Sequence, residues 1–183
     1  RTQLTAEPLA ESLGLDTRVL EGLQEIEAGT LEKRSDHASV HSYLETAFAW
    51  GSGNLDVRMP GGPDGYAFFE RFDADIATIA GFVSNADDTR AVNRPGTIAS
   101  PSREEGATAA VFSHGAAIRV WTARRALNIS PEFAGTHELD NTGVVELSGS
   151  PDVGWQLVSW AGRPVGGAQL VDQQADDPLG EPL

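Results

Sequence analysis

Apolar residues recur at helical spacing in three stretches of the first half of the chain. Ala6, Leu9, Ala10 and Leu13 predict an amphipathic helix that Gly14 closes. Two more helices are predicted by apolar stripes, the first at Val40, Leu44, Ala47 and Phe48, the second at Phe69, Phe72, Ile76, Ile79 and Val83. A short extended segment is predicted around residues 19–23. The first half is therefore predicted to be mainly helical.

Strand candidates come later in the chain. The runs ATAAVFS, NTGVVELSGS and GWQLVSWAG have strand character, and the last two predict an antiparallel pair across a Gly/Pro/Asp turn. The first run leads through Ser-His-Gly into a helix predicted from Val120, Ala123 and Leu127. This layout favours an α/β fold, and it places His114 where a strand ends and a helix begins. Ligands of open α/β sheets bind at such strand ends.

Two segments lack this periodicity. Residues 84–106 are polar and rich in Asn, Asp, Pro, Arg and Ser, which predicts a mobile surface insertion. Residues 173–183, QQADDPLGEPL, are acidic and contain proline, which predicts a disordered tail. The expected organisation is one domain over residues 1–172 followed by that tail.

Composition removes several classes of function. The net charge of −14 disfavours binding to a nucleic acid, because such binding needs Lys and Arg against the phosphates. No apolar window reaches the length of about 18 residues that a membrane span needs. The chain has no cysteine, so a disulfide framework and a thiolate metal site are excluded. A small anion would have to be held locally by Arg, His and backbone N–H groups.

Several segments, in the same order along the chain, resemble the histidine phosphatase superfamily, also called the phosphoglycerate mutase-like family. RTQLTA is similar to its Arg-x-x-x-Thr-Ala helix start, LQEIEAGTLE to its Glu-bearing loop, and VFSHGAAIR to its second histidine motif. HELDNTGVVEL and WQLVSWAGRP are similar to its closing strands. The resemblance spans nearly the whole chain. It implies a three-layer α/β/α fold around a mostly parallel central sheet, and phosphoryl transfer through a phosphohistidine.

The resemblance also implies roles for particular residues. Arg1 matches the phosphate-binding arginine, and a planar guanidinium can bind two phosphoryl oxygens at once. His114 matches the second active-site histidine, which stabilises the transition state without attacking, and the Gly115 amide could add a donor. Glu25 matches the general acid, which protonates the leaving oxygen and later helps to activate water. Neither a metal ion nor a cofactor is implied.

The resemblance fails at one essential point. The family's attacking histidine lies in an Arg-His-Gly motif near the N-terminus, and these 183 residues contain no such motif. His37, His41 and His137 lie between polar residues or in a connecting segment and do not obviously replace it. We expect that a segment with the nucleophile and a strand precedes Arg1, and that these residues alone are inactive. A degenerate, non-catalytic relative is the alternative.

The expected function is a metal-independent phosphatase acting on a small phosphorylated metabolite in the cytoplasm. A phosphatase is favoured over a mutase because only Lys33 and Arg34 follow the Glu-bearing loop as basic residues. The alternative is a catalytically degenerate anion-binding module of the same fold. The oligomeric state stays open, a homodimer included.

Two other classes have less support. His37 and His41 are four residues apart and could share a helix face, as in a metal-dependent hydrolase with a carboxylate as third ligand. Two surface histidines are the favoured explanation of this spacing. A serine hydrolase based on Ser113 is disfavoured, because FSHGA lacks the Gly-x-Ser-x-Gly elbow.

Overall fold

The computed structural model describes residues 1–92 and 108–165 of the chain. Within these ranges it has five α-helices and three strands: α1 Thr2–Leu13, α2 His37–Gly51, α3 Gly65–Val92, α4 Gly115–Arg125, α5 Phe133–Thr136, β1 Val145–Ser150, β2 Gly154–Trp160 and β3 Arg163–Pro164. Short 3-10 turns occupy Glu21–Leu23 and Gly29–Leu31. No helix within these ranges combines the length and the apolar character needed to cross a membrane.

The three helices predicted in the first half are confirmed. Helix α1 ends at Gly14, which adopts a left-handed φ of 63° and donates its amide to the carbonyls of Ala10 and Glu11. Helix α2 begins after Asp36, whose carboxylate accepts the Ser39 amide at 3.0 Å. The Ser39 hydroxyl also donates to this carboxylate, and both hydrogen bonds lower the pKa of Asp36.

Helix α3 is longer than the predicted stripe. It continues to Val92, so residues 84–92 of the predicted insertion are helical. These residues contain neither glycine nor proline, the two residues that oppose a helix most strongly, so the helix can continue through them. Residues 93–106 of that segment and the predicted tail, 173–183, lie outside the described residues.

The main core lies where α2, α3 and α4 meet. It is built from aromatic side chains that are stacked, edge to face or tilted against one another, with aliphatic residues and a methionine between them: Trp50, Phe68, Phe69, Phe72, Trp121, Ile26, Met59 and Val120. Each large apolar side chain buried here stabilises the fold by about 1.5–3 kcal/mol. Helix α4 is also bound to α3, because Trp121 Nε1 donates to Asp73 at 2.8 Å and Arg125 forms an ion pair with the same carboxylate.

The strands form one antiparallel sheet in the order β1-β2-β3. The predicted hairpin between β1 and β2 is confirmed, with Ser150 paired to Gly154 at its turn. Leu157 and Trp160 of β2 are buried against Ala126, just after α4. Ala126 also forms one parallel bridge with Trp155. The sheet therefore packs beside the C-terminal end of α4.

The mostly parallel three-layer sheet implied by the resemblance does not occur among the described residues, whose sheet is antiparallel. The predicted strand ATAAVFS is not a strand there either. From Thr108 to Ser113 the chain forms no ladder with any described segment, and Val111 is 40% exposed. A strand exists only with a hydrogen-bonded neighbour, and an apolar run alone does not supply one. The predicted extension at residues 19–23 is likewise wrong, because it ends in the 3-10 turn Glu21–Leu23.

Candidate active site

The N-terminus of α4 is open to solvent. His114 is the residue before the helix, with an extended backbone of φ −120° and ψ 153°, and its side chain forms no capping hydrogen bond. The first amides of a helix have no partner within the helix. The amides of Gly115 and Ala116 find no acceptor within the described ranges, and open space lies beyond Gly115. This end of α4 therefore presents hydrogen-bond donors and a positive dipole end to an anion.

Arg1 meets His114 at this helix end. Its guanidinium Nη2 lies 3.4 Å from His114 Nδ1, although the two residues are 113 positions apart. Arg1 is exposed at the start of α1, and its carbonyl accepts the Thr5 amide at 3.3 Å and the Thr5 hydroxyl at 3.4 Å. Thr5 thus ties the backbone of Arg1 to the first turn of the helix, and the guanidinium reaches the imidazole.

Glu25 approaches the same helix end from the other side. Its Oε1 atom accepts the amides of Ile26 and Ala117, each at 2.9 Å, and Ala117 lies in the first turn of α4. Its Oε2 atom has no donor among the described residues. The Glu25 carboxylate is thus anchored at the helix N-terminus through one of its two oxygens.

The loop that carries Glu25 is bound by Arg71 of α3. The Arg71 guanidinium donates to three backbone carbonyls of this loop, those of Gly22 at 2.5 Å, Gln24 at 2.9 Å and Glu25 at 2.8 Å. Burial lowers the pKa of Arg71, and nearby carboxylates, chiefly that of Glu27, oppose the change. An arginine keeps its charge under such shifts, so the loop is bound by a permanent cation.

Two smaller contacts fix the same loop. The Ser113 hydroxyl donates to the Leu23 carbonyl at 2.7 Å, which joins the loop to the residue before His114. Gly22 lies so close to α3 that a Cβ atom there would be 2.3 Å from the Arg71 carbonyl oxygen and 2.6 Å from Asp75 Oδ2. Only glycine permits this approach.

A cleft of about 370 Å³ borders Glu25. Its walls include the half-buried ring of Tyr43, whose hydroxyl donates to the Ile26 carbonyl at 3.4 Å. Burial, and next the charges of Glu25 and Glu32, raise the pKa of Tyr43 well above its ordinary value. Tyr43 therefore stays a neutral phenol beside the carboxylate of Glu25.

The structure brings all four predicted site residues to one place: Arg1, Glu25, His114 and Gly115. The other histidines lie elsewhere in the described part of the chain. His37 and His41 have stacked rings 6.4 Å apart at the exposed start of α2, and His137 stacks on Phe133. Among the described residues, the acidic contact of this pair is that of His41 with Glu45 at 3.7 Å. Residues 1–92 and 108–165 contain no group of three or more metal-ligating side chains.

The sequence analysis did not find Arg71, Gly22 or Tyr43. One signal for Arg71 was its place between phenylalanines of the predicted apolar stripe, where a charged residue needs a partner. Gly22 and Tyr43 carry no comparable signal, because a close approach and a cleft wall exist only once α2 and α3 are packed.

Comparisons with known proteins identify the family of this chain. The family described as histidine phosphatase superfamily (branch 1) matches residues 1–162. PE-PGRS family protein PE_PGRS11 of Mycobacterium tuberculosis is 36% identical over 177 residues, which are 93% of this chain and 28% of that protein. The chain therefore spans less than a third of this relative. No solved structure matches. The family match over most of its length shows that the chain belongs to the histidine phosphatase superfamily.

Proposed function

We propose that this chain acts as a metal-independent phosphatase on a small phosphomonoester, through a phosphohistidine intermediate. Membership of the superfamily supports phosphatase or phosphotransferase chemistry in general. The observation that carries the proposal is the convergence of Arg1, His114 and Glu25 on one open helix N-terminus. Cation, imidazole, free amides and a carboxylate are the groups that transfer of a phosphoryl group requires.

The phosphoryl group would bind at the start of α4. The guanidinium of Arg1 and the amide of Gly115 donate to its oxygens, and the imidazole of His114 adds a ring N–H. Charge on these oxygens is spread further in the transition state, so fixed donors at this point lower the barrier. Because the donors come from a helix end and two side chains, no metal ion is needed to balance this charge.

Glu25 would act on the leaving group. A histidine nitrogen attacks phosphorus, the bond from phosphorus to the ester oxygen breaks, and the Oε2 proton of Glu25 goes to the departing oxygen. In the second step water attacks the phosphohistidine, its proton goes to the Glu25 carboxylate, and inorganic phosphate leaves. Glu25 thus returns to its starting state after one turnover.

This proposal does not assign the attacking histidine to one of the described residues. His114 fits the role of the stabilising histidine, and no other histidine contacts Arg1, Glu25 or His114 within the described residues. This same observation favours the second candidate function, an anion-binding module of the same fold without catalysis. Such a module keeps the donors at the start of α4 and binds phosphate without turnover.

The finer parts of the expectation belong to the same proposal. We propose a phosphatase in preference to a mutase, with a small phosphorylated metabolite as its substrate. The enzyme would use no cofactor and would act in the cytoplasm. Lys33 and Arg34 remain the only basic residues after the Glu-bearing loop up to α2, which supports the preference for a phosphatase.

The test is hydrolysis of p-nitrophenyl phosphate in EDTA by the full-length gene product and its His114→Ala variant. Turnover that persists in EDTA and falls at least about a hundredfold in the variant supports the phosphatase. Folded protein that binds inorganic phosphate without turnover supports the binding module. Turnover that EDTA abolishes contradicts both.

A further inference from the structure

The cleft beside Glu25 lies where the leaving group of a phosphomonoester has to be. The general acid must contact the ester oxygen, and the carbon skeleton of the alcohol begins at the next atom. Glu25 has one carboxylate oxygen bound at the start of α4 and also lines the cleft, so this residue joins the two. The volume of about 370 Å³ lies in the range of about 300–1,000 Å³ that small-molecule sites occupy.

The side chains that form the walls of the cleft are mainly apolar: Ile26, Leu31, Val40, Tyr43 and Leu44. Val40 is 40% exposed, so part of its side chain meets solvent and no protein atom covers it. An apolar group placed against this wall would remove that surface from water, which is favourable. The walls therefore attract a hydrocarbon skeleton.

Three polar side chains of the cleft, those of Glu32, Arg34 and Ser39, already have a partner within the protein. The Ser39 hydroxyl donates to Asp36, and Arg34 forms an ion pair with the same carboxylate at 3.1 Å. Glu32 accepts the Ala28 amide at 3.0 Å. A polyhydroxy compound needs a partner for each hydroxyl that loses water. The apolar walls offer no such partner, and the polar atoms that are already bonded here would have to exchange theirs.

The charges at the rim of the cleft are balanced. Glu32 and Lys33 have opposite signs and both line the cleft, as do the paired Arg34 and the carboxylate of Glu25. A net field that would select a second anionic group is therefore not present at the walls. The apolar wall of the cleft is then what distinguishes one substrate from another.

We propose that this cleft binds the alcohol part of the substrate and selects an apolar, aromatic group over a polyhydroxy one. The inference rests on the phosphatase function proposed above, because it assigns the leaving oxygen to Glu25. Tyr43 and Val40, which are three residues apart on α2 and form its wall of the cleft, are then specificity-determining residues.

The kinetic test compares 2-phenylethyl phosphate with glycerol 3-phosphate, two esters of primary alcohols that differ in the apolar group. The full-length protein is expected to have a kcat/KM about tenfold or more higher for the phenylethyl ester. Val40→Ser should lower this ratio about fourfold, because it removes methyl groups from the wall. The matched control is Val57→Ser, a valine 41% exposed outside the cleft, which should leave the ratio unchanged.

A binding test separates this inference from the proposed function. Calorimetry with phenylphosphonate and methylphosphonate compares two anions of the same head group without any turnover. Tighter binding of phenylphosphonate that weakens in Val40→Ser supports the cleft even if the protein hydrolyses nothing, in which case only the phosphatase function fails. Equal binding of the two probes, binding of neither, or equal effects of Val40→Ser and Val57→Ser would overturn the inference.

Discussion

The two sides of the helix end at His114 are held in different ways. On one side the Glu25 loop is bound by three hydrogen bonds from Arg71, one from Ser113, and the contact of Glu25 with α4. On the other side Arg1 reaches His114 through a single contact of 3.4 Å. Helix α1, which carries Arg1, buries only Ala6.

This difference indicates which part of the site is preorganised before a substrate binds. The carboxyl group of the acid is fixed by the packing of α3 and α4 and needs no substrate to order it. The guanidinium of Arg1 is exposed, and an anion at the start of α4 would give it a second, charged partner. We therefore expect changes on the Glu25 side to act on kcat and changes on the anion side to act on affinity.

The largest effect is expected from Glu25→Gln, which keeps the acceptor for the Ile26 and Ala117 amides but carries no proton to donate. With glycerol 3-phosphate, kcat should fall about 10²–10⁴-fold. The loss should be much smaller with p-nitrophenyl phosphate, because p-nitrophenolate leaves without a proton. The exposed neighbour Glu27→Gln is the control. Equal losses with both substrates would contradict the assignment of Glu25 as the acid.

Arg71→Lys should come next, since a single ammonium nitrogen cannot take the places of both Nη1 and Nη2, which bind the three loop carbonyls. We expect kcat with glycerol 3-phosphate to fall about 10–100-fold with little change in KM, because the loop and its carboxyl group shift. As for Glu25, the loss should be smaller with p-nitrophenyl phosphate. Arg58→Lys, at an arginine 68% exposed, is the control. An equal loss of kcat with both substrates would contradict this expectation and show that Arg71 only stabilises the structure.

On the anion side, Gly115→Pro removes one amide donor while keeping the helix start. The first position of a helix accepts proline, and the extended backbone of His114 suits the residue before it. Affinity for orthovanadate should fall about tenfold. Gly115→Ala keeps the amide, and its Cβ would enter open space, so its affinity should be unchanged. Matching losses in the two variants would show that the amide does not bind the anion.

The smallest effect concerns pH and the cleft beside Glu25. The raised pKa of Tyr43 means that the folded protein keeps a proton which the unfolded chain releases above about pH 10. Stability should therefore fall as the pH rises through that range, measured as the denaturation midpoint at pH 9 and pH 11. Tyr43→Phe should weaken this dependence, and Tyr66→Phe, at an exposed tyrosine, should not. If the pH dependence of stability is unchanged in Tyr43→Phe, a group other than Tyr43 causes it.

Local patterns predicted the parts of the fold that local physics determines. The apolar stripes predicted α1, α2 and α3, and the turn between two alternating runs predicted the β1–β2 hairpin. Helix spacing and hairpin turns are properties of short segments. The mostly parallel sheet came from the resemblance alone, and the run before His114 could not show whether it has a neighbour.

The site was predictable to the extent that motifs carried it. Arg1, Glu25, His114 and Gly115 were named from segments far apart in the sequence, and the structure places them at one helix end. Their distances could not be predicted, because they depend on how α1 and the Glu25 loop pack against α4. The Arg71 contacts were missed for the same reason, since its carbonyl partners are 46 to 49 positions away.

The central claim is that the start of α4, with His114, binds a phosphoryl group. Its most direct test is the affinity of the full-length protein for orthovanadate, measured by calorimetry in EDTA, against His114→Ala and the control His137→Ala. The account predicts binding that weakens at least about tenfold in His114→Ala and not in His137→Ala. Equal affinity in all three proteins would contradict it.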